Sequence, residues 1–458
     1  MKTFERLLKD KLLLLTSEHL NDLQHGFLSQ KSCATNLATF CDRLALSLDE
    51  CLRTDVIYFD FAKAFDSVNH DILLYKLKHY YNIDGRLLKF LKNYLSDREQ
   101  QVVVGSSTSS RSPVISGVPQ GSILGPVLFV LFINDLPTGL SPGTDALMYA
   151  DDTKISRTIR TESDHVALQS DVEYLHNWSL ANKINFHPLK CKVLSVAIRP
   201  PPLLDILPNI QYSYALGDNL LDYTTWEKDL GVDMNPTLNF SAHCERLLSK
   251  ANQQFGLTKR TCFFVNDFRR KRTLYLSLIR SQFEHCSQIW RPINKTMLNK
   301  FENFQKKCIK WILNEEPLHY TSDTYLIKCR QARLLTLEKR FDFNDLVLFY
   351  KVVNKLIPLS LPAYLKFFDG YSRLRSCHLD TFSIVSDIKP KSNPSFSDNK
   401  NSALNKSFFY RTHLLWNKLP LDIRAVISVS IFKTKLLKFM WDSVAEDSEI
   451  LSNDVMPD

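Results

Sequence analysis

Apolar residues along this chain change period several times, and each change marks an element. Leu7, Leu8, Leu12, Leu15 and Leu20 recur near helical spacing among Lys and Glu, which predicts an amphipathic helix within residues 1–25. A second helix is expected over 33–52. The period then shortens: "DVIYFDFAKAF" (55–65) is β-branched and aromatic and reads as a strand ending in polar residues. "DSVNHDILLYKLKHYY" (66–81) returns to helical spacing, with Asp66 or Ser67 as N-cap, and 86–96 continues helically. "QQVVVG" (100–105) predicts a short strand and "SSTSSRSP" (106–113) a hairpin-like loop. "GVPQGSILGPVLFVLFINDL" (117–136) is a Gly/Pro-rich loop running into a buried helix. "DALMYADDTKIS" (145–156) predicts strand, turn, strand, residues 162–182 another amphipathic helix, and "KINFHPLKCKVLSVAI" (183–198) more strand.

Beyond this point the pattern changes character. The proline-rich "RPPPLLDILP" (199–208) marks a turn or domain edge, and from about residue 240 the chain is mostly helical and basic. "KPKSNPSFSDNKNS" (389–402) reads as a polar linker, and the acidic last residues are expected to be disordered. A length of 458 residues suits two or three domains, and 44% hydrophobic with 23% charged residues excludes bulk disorder. The net charge of +9 is concentrated: residues 241–320 hold 15 Lys/Arg against 6 Asp/Glu, a balance suited to a phosphate backbone or to a solvated helical surface. Ten cysteines show no CxxC or knuckle spacing, so zinc held by neighbouring ligands is not expected. No signal pattern is visible, so free thiols in a reducing compartment are expected. No apolar run reaches the ~18 residues that span a bilayer.

"LMYADDTK" (147–154) then poses a chemical question. Two adjacent carboxylates follow an apolar strand, where like charges repel unless a cation separates them. A turn would also explain them, because Asp bonds nearby backbone groups. A third carboxylate, Asp60, ends the apolar run "VIYF". If the two strands are neighbours, Asp60 and Asp151 converge at one end of a sheet. Such hard oxygen ligands suit Mg²⁺, which takes one or two carboxylates and leaves room for substrate phosphates.

"FDFAKAFD", "GVPQGSILGP", "YADD" and "HPLKCKVL" together resemble motifs A, B, C and D of a non-LTR (LINE-type, jockey-like) retrotransposon reverse transcriptase, in order and spacing. "QHGFLSQKSCATNL" resembles the fingers motif before motif A. "LSDREQQVVVG" resembles the segment between motifs A and B, and "LQSDVEYLHNWSLANKINF" the helix after YADD. "KDLGVDMNPTLNFSAHCERLLSKANQQFG" resembles the family's thumb. "LYLSLIRSQFEHCSQIW", "FENFQKKCIKWIL" and "SFFYRTHLLWNKLPLDIR" resemble its carboxy-terminal region. The resemblance implies an α+β fold: a right-hand polymerase palm and fingers with an antiparallel sheet, then a mostly helical thumb and C-terminal region. The expected parts are fingers/palm over 1–234, a basic helical thumb-like region over 235–320, a C-terminal helical region over 321–445 and an acidic tail over 446–458. Family members begin with a further fingers segment, so the chain resembles one truncated at its amino terminus.

The resemblance also assigns residues. Asp60, Asp151 and Asp152 match the catalytic and metal-holding aspartates, with two Mg²⁺ ions as cofactor. Lys190 matches a lysine that donates a proton to pyrophosphate. Phe61, Ala62 and Lys63 match positions near metal and triphosphate. Phe65 matches the aromatic that packs under the sugar and rejects a ribose 2′-OH. Gln120 and Gly121 match template and nucleotide contacts. Two positions depart from the pattern: His187 stands where Asn is usual, and Lys31 where many members have Arg. The implied activity is RNA-directed DNA polymerisation from a primer 3′-OH. The implied partners are an RNA template, a DNA primer or nicked target DNA, dNTPs, and an endonuclease in trans, with no membrane. The implied location is a nuclear or cytoplasmic ribonucleoprotein. Two other readings stay open: a non-catalytic RNA-binding remnant, and an RNA-directed RNA polymerase, against which Phe65 counts.

Overall fold

The computed structural model describes residues 2–198, 212–315, 320–368, 381–388 and 402–446. The proline-rich edge at 199–208 and the acidic tail lie largely or wholly outside these residues, as does nearly all of the 389–402 linker. The chain divides into two compact units. One is Met1–Asn36 with Cys51–Glu227; the other is Leu37–Glu50 with Lys228–Asp458.

The first unit opens with α1 (Lys2–Thr16). Its buried stripe is Glu5, Leu12 and Thr16, while Leu7 and Leu15 of the expected apolar face are exposed. Glu5 sets that rotation, because its carboxylate accepts the backbone N–H of Ile123 at 2.7 Å. Helix α2 (Cys33–Asp49) leads to β1 (Arg53–Phe59), then α3 (His70–His79) and α4 (Gly85–Leu95). The α3 N-cap is Asn69, which accepts from Ile72 N, and not Asp66 or Ser67. Those two are already used: Asp66 lies in a 3-10 turn, and Ser67 Oγ donates to the carbonyls of Ala62 and Lys63. The expected strand at 100–105 is two short pieces, Glu99–Gln100 and Val103–Val104, paired back on the hairpin. Helix α5 (Leu124–Ile133) is buried on almost every side. The hairpin β2 (Asp145–Tyr149) and β3 (Asp152–Ile159), helix α6 (Glu162–Ala181), β4 (Lys192–Val196) and β5 (Asp222–Tyr223) complete the unit.

The sheet order is β5-β4-β1-β3-β2, antiparallel except for the β4–β5 edge. Its register aligns Val193, Ile57, Ile155 and Ala146 in one row across four strands, and Phe59, Thr153 and Met148 in the next same-face row toward one end. The apolar members of these rows belong to one core with Leu12, Leu73, Leu77, Leu91, Leu95, Leu168 and α5. Helices therefore cover that face.

The second unit is helical: Ser241–Thr261, Lys295–Leu313, Leu337–Val353, Phe408–Asn417 and Val429–Glu446 are its longer helices. A short antiparallel ladder, Leu365–Phe367 with Ile384–Ser386, was not expected from the sequence. Inside it, fully buried Asp345 takes Arg291 at 2.8 Å and Arg411 at 3.1 Å. The basic run at 269–272 is split. Arg269 and Arg270 are exposed. Lys271 instead lies over the Trp311 ring, and Arg272 donates to Arg333 O. The aromatics between the charges are largely core, as Tyr275 and Phe304 show. Among the described residues the cysteines are free thiols, and no helix is long and apolar enough to cross a membrane.

The part of α2 that belongs to the second unit carries Asp42. Its Oδ1 accepts from Tyr364 Oη at 2.7 Å and Ser407 Oγ at 3.0 Å. Burial pushes the Asp42 carboxyl up to about 6, against the pull of those two donors. A carboxyl raised in the folded state contributes stability below its unfolded value, and that stability is lost as pH rises toward 6. Asp42→Asn should therefore melt like wild type near pH 4. Above pH 6 it should be more stable, by up to about 3 kcal/mol, as read by denaturation at both pH values.

Candidate active site

Strand β1 ends at Phe59, so Asp60 is the first residue beyond the sheet. Strands β2 and β3 are joined by Ala150–Asp151 alone, with Tyr149 opposite Asp152. Phe59 is opposite Thr153, so one step further sets Asp60 level with Asp152. The carboxylates do converge. The partner of β1 is β3, the strand leaving the turn, a pairing that one sequence does not reveal. Side chains alternate along strands, so Asp60 and Asp152 lie on the opposite side from Phe59 and Thr153.

Asp151 is half-buried beside Asp60. Burial, and then the Asp60 charge, hold its carboxyl above the usual range. Lys190 Nζ stands 3.3 Å from Asp60 Oδ1, with 58% and 45% of the two side chains exposed. An ammonium here occupies a place where the carboxylates favour a cation. Asp152 is exposed. Among the described residues no set of three or more His, Cys, Asp or Glu forms an all-protein metal cage. Two convergent, open carboxylates nevertheless fit Mg²⁺, which binds through one or two carboxylates plus substrate phosphates.

The segment after α6 clamps Asp60 on both sides. His187 N donates to Asp60 O at 2.7 Å, and Ala62 N donates to Asn185 O at 2.9 Å. Between them Phe61 pairs with Phe186, and their rings stack at 4.4 Å. The backbone of His187 does this work, so His in place of Asn leaves the clamp intact. The Phe61 ring is core, and the Ala62 amide is already bonded. Lys63 is exposed and left-handed (φ 53°), at the start of the 3-10 turn. Lys31 donates to Asp22 O at 2.8 Å.

Phe65 is half-buried, stacked on Phe129 at 4.4 Å and edge-on to Phe27 at 6.1 Å. Val118 N donates to its carbonyl at 2.8 Å. The approach is close: a Cβ on Gly117 (φ 88°) would stand 2.8 Å from Asp66 Cα, so only glycine fits. Gln120 Nε2 donates to Asp66 Oδ1 at 2.9 Å. Gly121 is left-handed and exposed, with open space where a side chain would be. The loop before α5 is thus tied to the segment after Asp60, and Phe65, Gln120 and Gly121 share one region.

Sequence reasoning missed the brace behind the Asp151 turn. Residues 23–25 lie alongside β2: Met148 N donates to Leu23 O at 2.9 Å and His25 N to Met148 O at 2.8 Å. Asn36 Nδ2 also reaches Met148 O. Gly26 has no room for a Cβ, which would stand 2.2 Å from Ala150 N. Ala150 itself is left-handed (φ 56°), which costs an L-residue roughly 1–2 kcal/mol. "QHGF" flagged the segment, but nothing in it names β2 as its neighbour.

The first unit thus sets carboxylates at one end of an antiparallel sheet with helices packed on one face, the α+β layout of a polymerase palm and fingers. A family profile described as "Reverse transcriptase (RNA-dependent DNA polymerase)" matches residues 1–233. The chain belongs to that family. It is 27% identical over 333 residues to "Probable RNA-directed DNA polymerase from transposon BS" of Drosophila melanogaster, covering 68% of this chain and 35% of that protein. It is also 27% identical over 333 residues to "RNA-directed DNA polymerase from mobile element jockey" of Drosophila funebris, covering 68% and 34%. The chain thus spans about a third of the length of these relatives. Among solved structures, telomerase from Candida tropicalis with a telomeric RNA fragment aligns at 12% identity and a TM-score of 0.39, covering 98% of this chain and 56% of that one.

Because Asp151 is held near Asp60, Asp151→Asn should raise the melting temperature in metal-free buffer at pH 7, by about 2 °C. A clear drop in a calorimetric scan would mean that the Asp151 carboxylate caps the turn and stabilises it.

Proposed function

We propose that this chain is an RNA-directed DNA polymerase that extends a primer 3′-OH with dNTPs by two-metal catalysis. The observation that carries the reading is the convergence of Asp60 and Asp151 at the exposed end of the sheet, with Lys190 beside Asp60. Asp60 and Asp151 would hold two Mg²⁺ ions, with Asp152 adding negative charge. Bound there, the metal would make the primer hydroxyl a better nucleophile and neutralise charge on the leaving pyrophosphate. Lys190, 3.3 Å from Asp60, would give a proton to that pyrophosphate. Lys63 is free to swing toward the triphosphate. The Phe65 ring, fixed by Phe129, forms the floor under the sugar, where a 2′-OH would collide. Gln120 and Gly121 present a polar group and bare backbone to template and incoming base. Residues 235–320 act as the thumb, with Arg269 and Arg270 facing phosphate, and 321–445 as the C-terminal region. An RNA template and a DNA primer or nicked target DNA are the partners this reading requires, with cleavage of the target supplied in trans.

Primer extension by the full chain on an RNA template with dNTPs and Mg²⁺ tests it. Asp60→Ala and Asp151→Ala should each lower extension about 1,000-fold or more, and Lys190→Ala about 100-fold. RNA binding without extension by any form would leave the RNA-binding remnant as the answer. Phe65→Ala should raise incorporation of rNTPs relative to dNTPs by about tenfold or more, read from competing nucleotides. An unchanged ratio would remove Phe65 from sugar selection.

A further inference from the structure

The turn that carries Asp151 does not hold itself in place. Ala150 is left-handed without being glycine, and Asp151 stands in the field of Asp60. The support comes from Gln24, 126 residues earlier. Its side chain is fully buried. Its Oε1 accepts from Ala150 N at 2.9 Å and from Gly26 N at 2.6 Å. Its Nε2, equally buried, has no hydrogen-bond partner among the described residues.

That combination narrows what Gln24 is for. A side chain present only to fill space would be apolar and would strand no amide. A side chain present only as an acceptor could be a carboxylate, but that would bury another negative charge near Asp60 and Asp151. A carboxamide supplies the acceptor without the charge. Gly26 completes the arrangement, because any Cβ there would push the segment off the turn.

We propose that Gln24 is a positioning residue: by fixing the Ala150 amide it holds Asp151 in register with Asp60, and so sets the divalent-cation affinity of the pair. The proposal deepens the polymerase reading and rests on it for the purpose of the cation. Partners that orient metal ligands in this way are typically worth about 10–100-fold in metal affinity.

The test uses the full chain with Mn²⁺ as probe, its binding read by electron paramagnetic resonance without nucleotide. Gln24→Met should weaken Mn²⁺ binding about tenfold or more, with RNA binding kept. Hydrogen exchange of the peptide containing Ala150 should quicken. Gln24→Glu keeps both acceptor contacts, so it should restore the exchange protection and bring Mn²⁺ affinity back to about the wild-type value or above. Wild-type Mn²⁺ affinity in Gln24→Met overturns the proposal, as does a wild-type chain that binds no Mn²⁺. If Gln24→Met does not fold, a folded Gln24→Glu decides: recovered affinity supports the proposal, and lost affinity overturns it. A wild type that binds Mn²⁺ with the expected Gln24 dependence yet extends no primer would sink the polymerase reading and leave the positioning role standing. Normal extension with no Gln24 effect on Mn²⁺ would do the reverse.

Discussion

The first unit is organised around holding two carboxylates close together where neither can escape. Repulsion between Asp60 and Asp151 favours any motion that separates them, so the backbone carrying each must be stiff. Asp60 is gripped by the sheet on one side and by residues 185–187 on the other. Asp151 sits in a turn too short to flex, backed by residues 23–26 and Asn36. The geometry of the pair is fixed by apolar rows and amide bonds, and its charge is left uncompensated, which is what the proposed cation site requires.

Buried charge elsewhere in the chain is treated differently. Asp55, on the strand that leads to Asp60, is fully buried and accepts two bonds from Arg53, one from Ser195 and one from Tyr214. Asp345 in the second unit is enclosed by Arg291 and Arg411. Each of these carboxylates has its compensating donors built into the protein, which is the usual condition for burying a charge. Among the described residues Asp151 has no such set of arginines around it. The difference within one molecule sets Asp55 and Asp345 apart from the Asp60–Asp151 pair.

Much of this was legible in the sequence, for reasons that can be named. Strands such as Arg53–Phe59 are dense in β-branched and aromatic residues, and the Asp-Asp pair between two strands announces a tight turn. What did not show was contact between distant segments. Nothing in "VIYF" says that it pairs with the strand after YADD and not the one before. Helical spacing identified α1 but placed Leu7 and Leu15 on the buried face, because Glu5 buries itself to bond Ile123 N. Asp66 and Ser67 read as caps until the turn before them used both. "RRKR" read as one basic patch, although two of its four side chains turn inward. Gln24 reads as an ordinary polar residue until Ala150 is seen against it.

Residues 37–50 belong with residues 228–458 and not with the chain that surrounds them in sequence. The consequence concerns the order of events on the ribosome. The helix holding Asp42 is made early, yet Tyr364 and Ser407, which bond that carboxylate, emerge more than three hundred residues later. That helix is rich in buried apolar residues, among them Leu37, Leu44 and Leu48. The span matched by the family profile therefore includes a helix whose Asp42 takes its hydrogen bonds from residues outside that span.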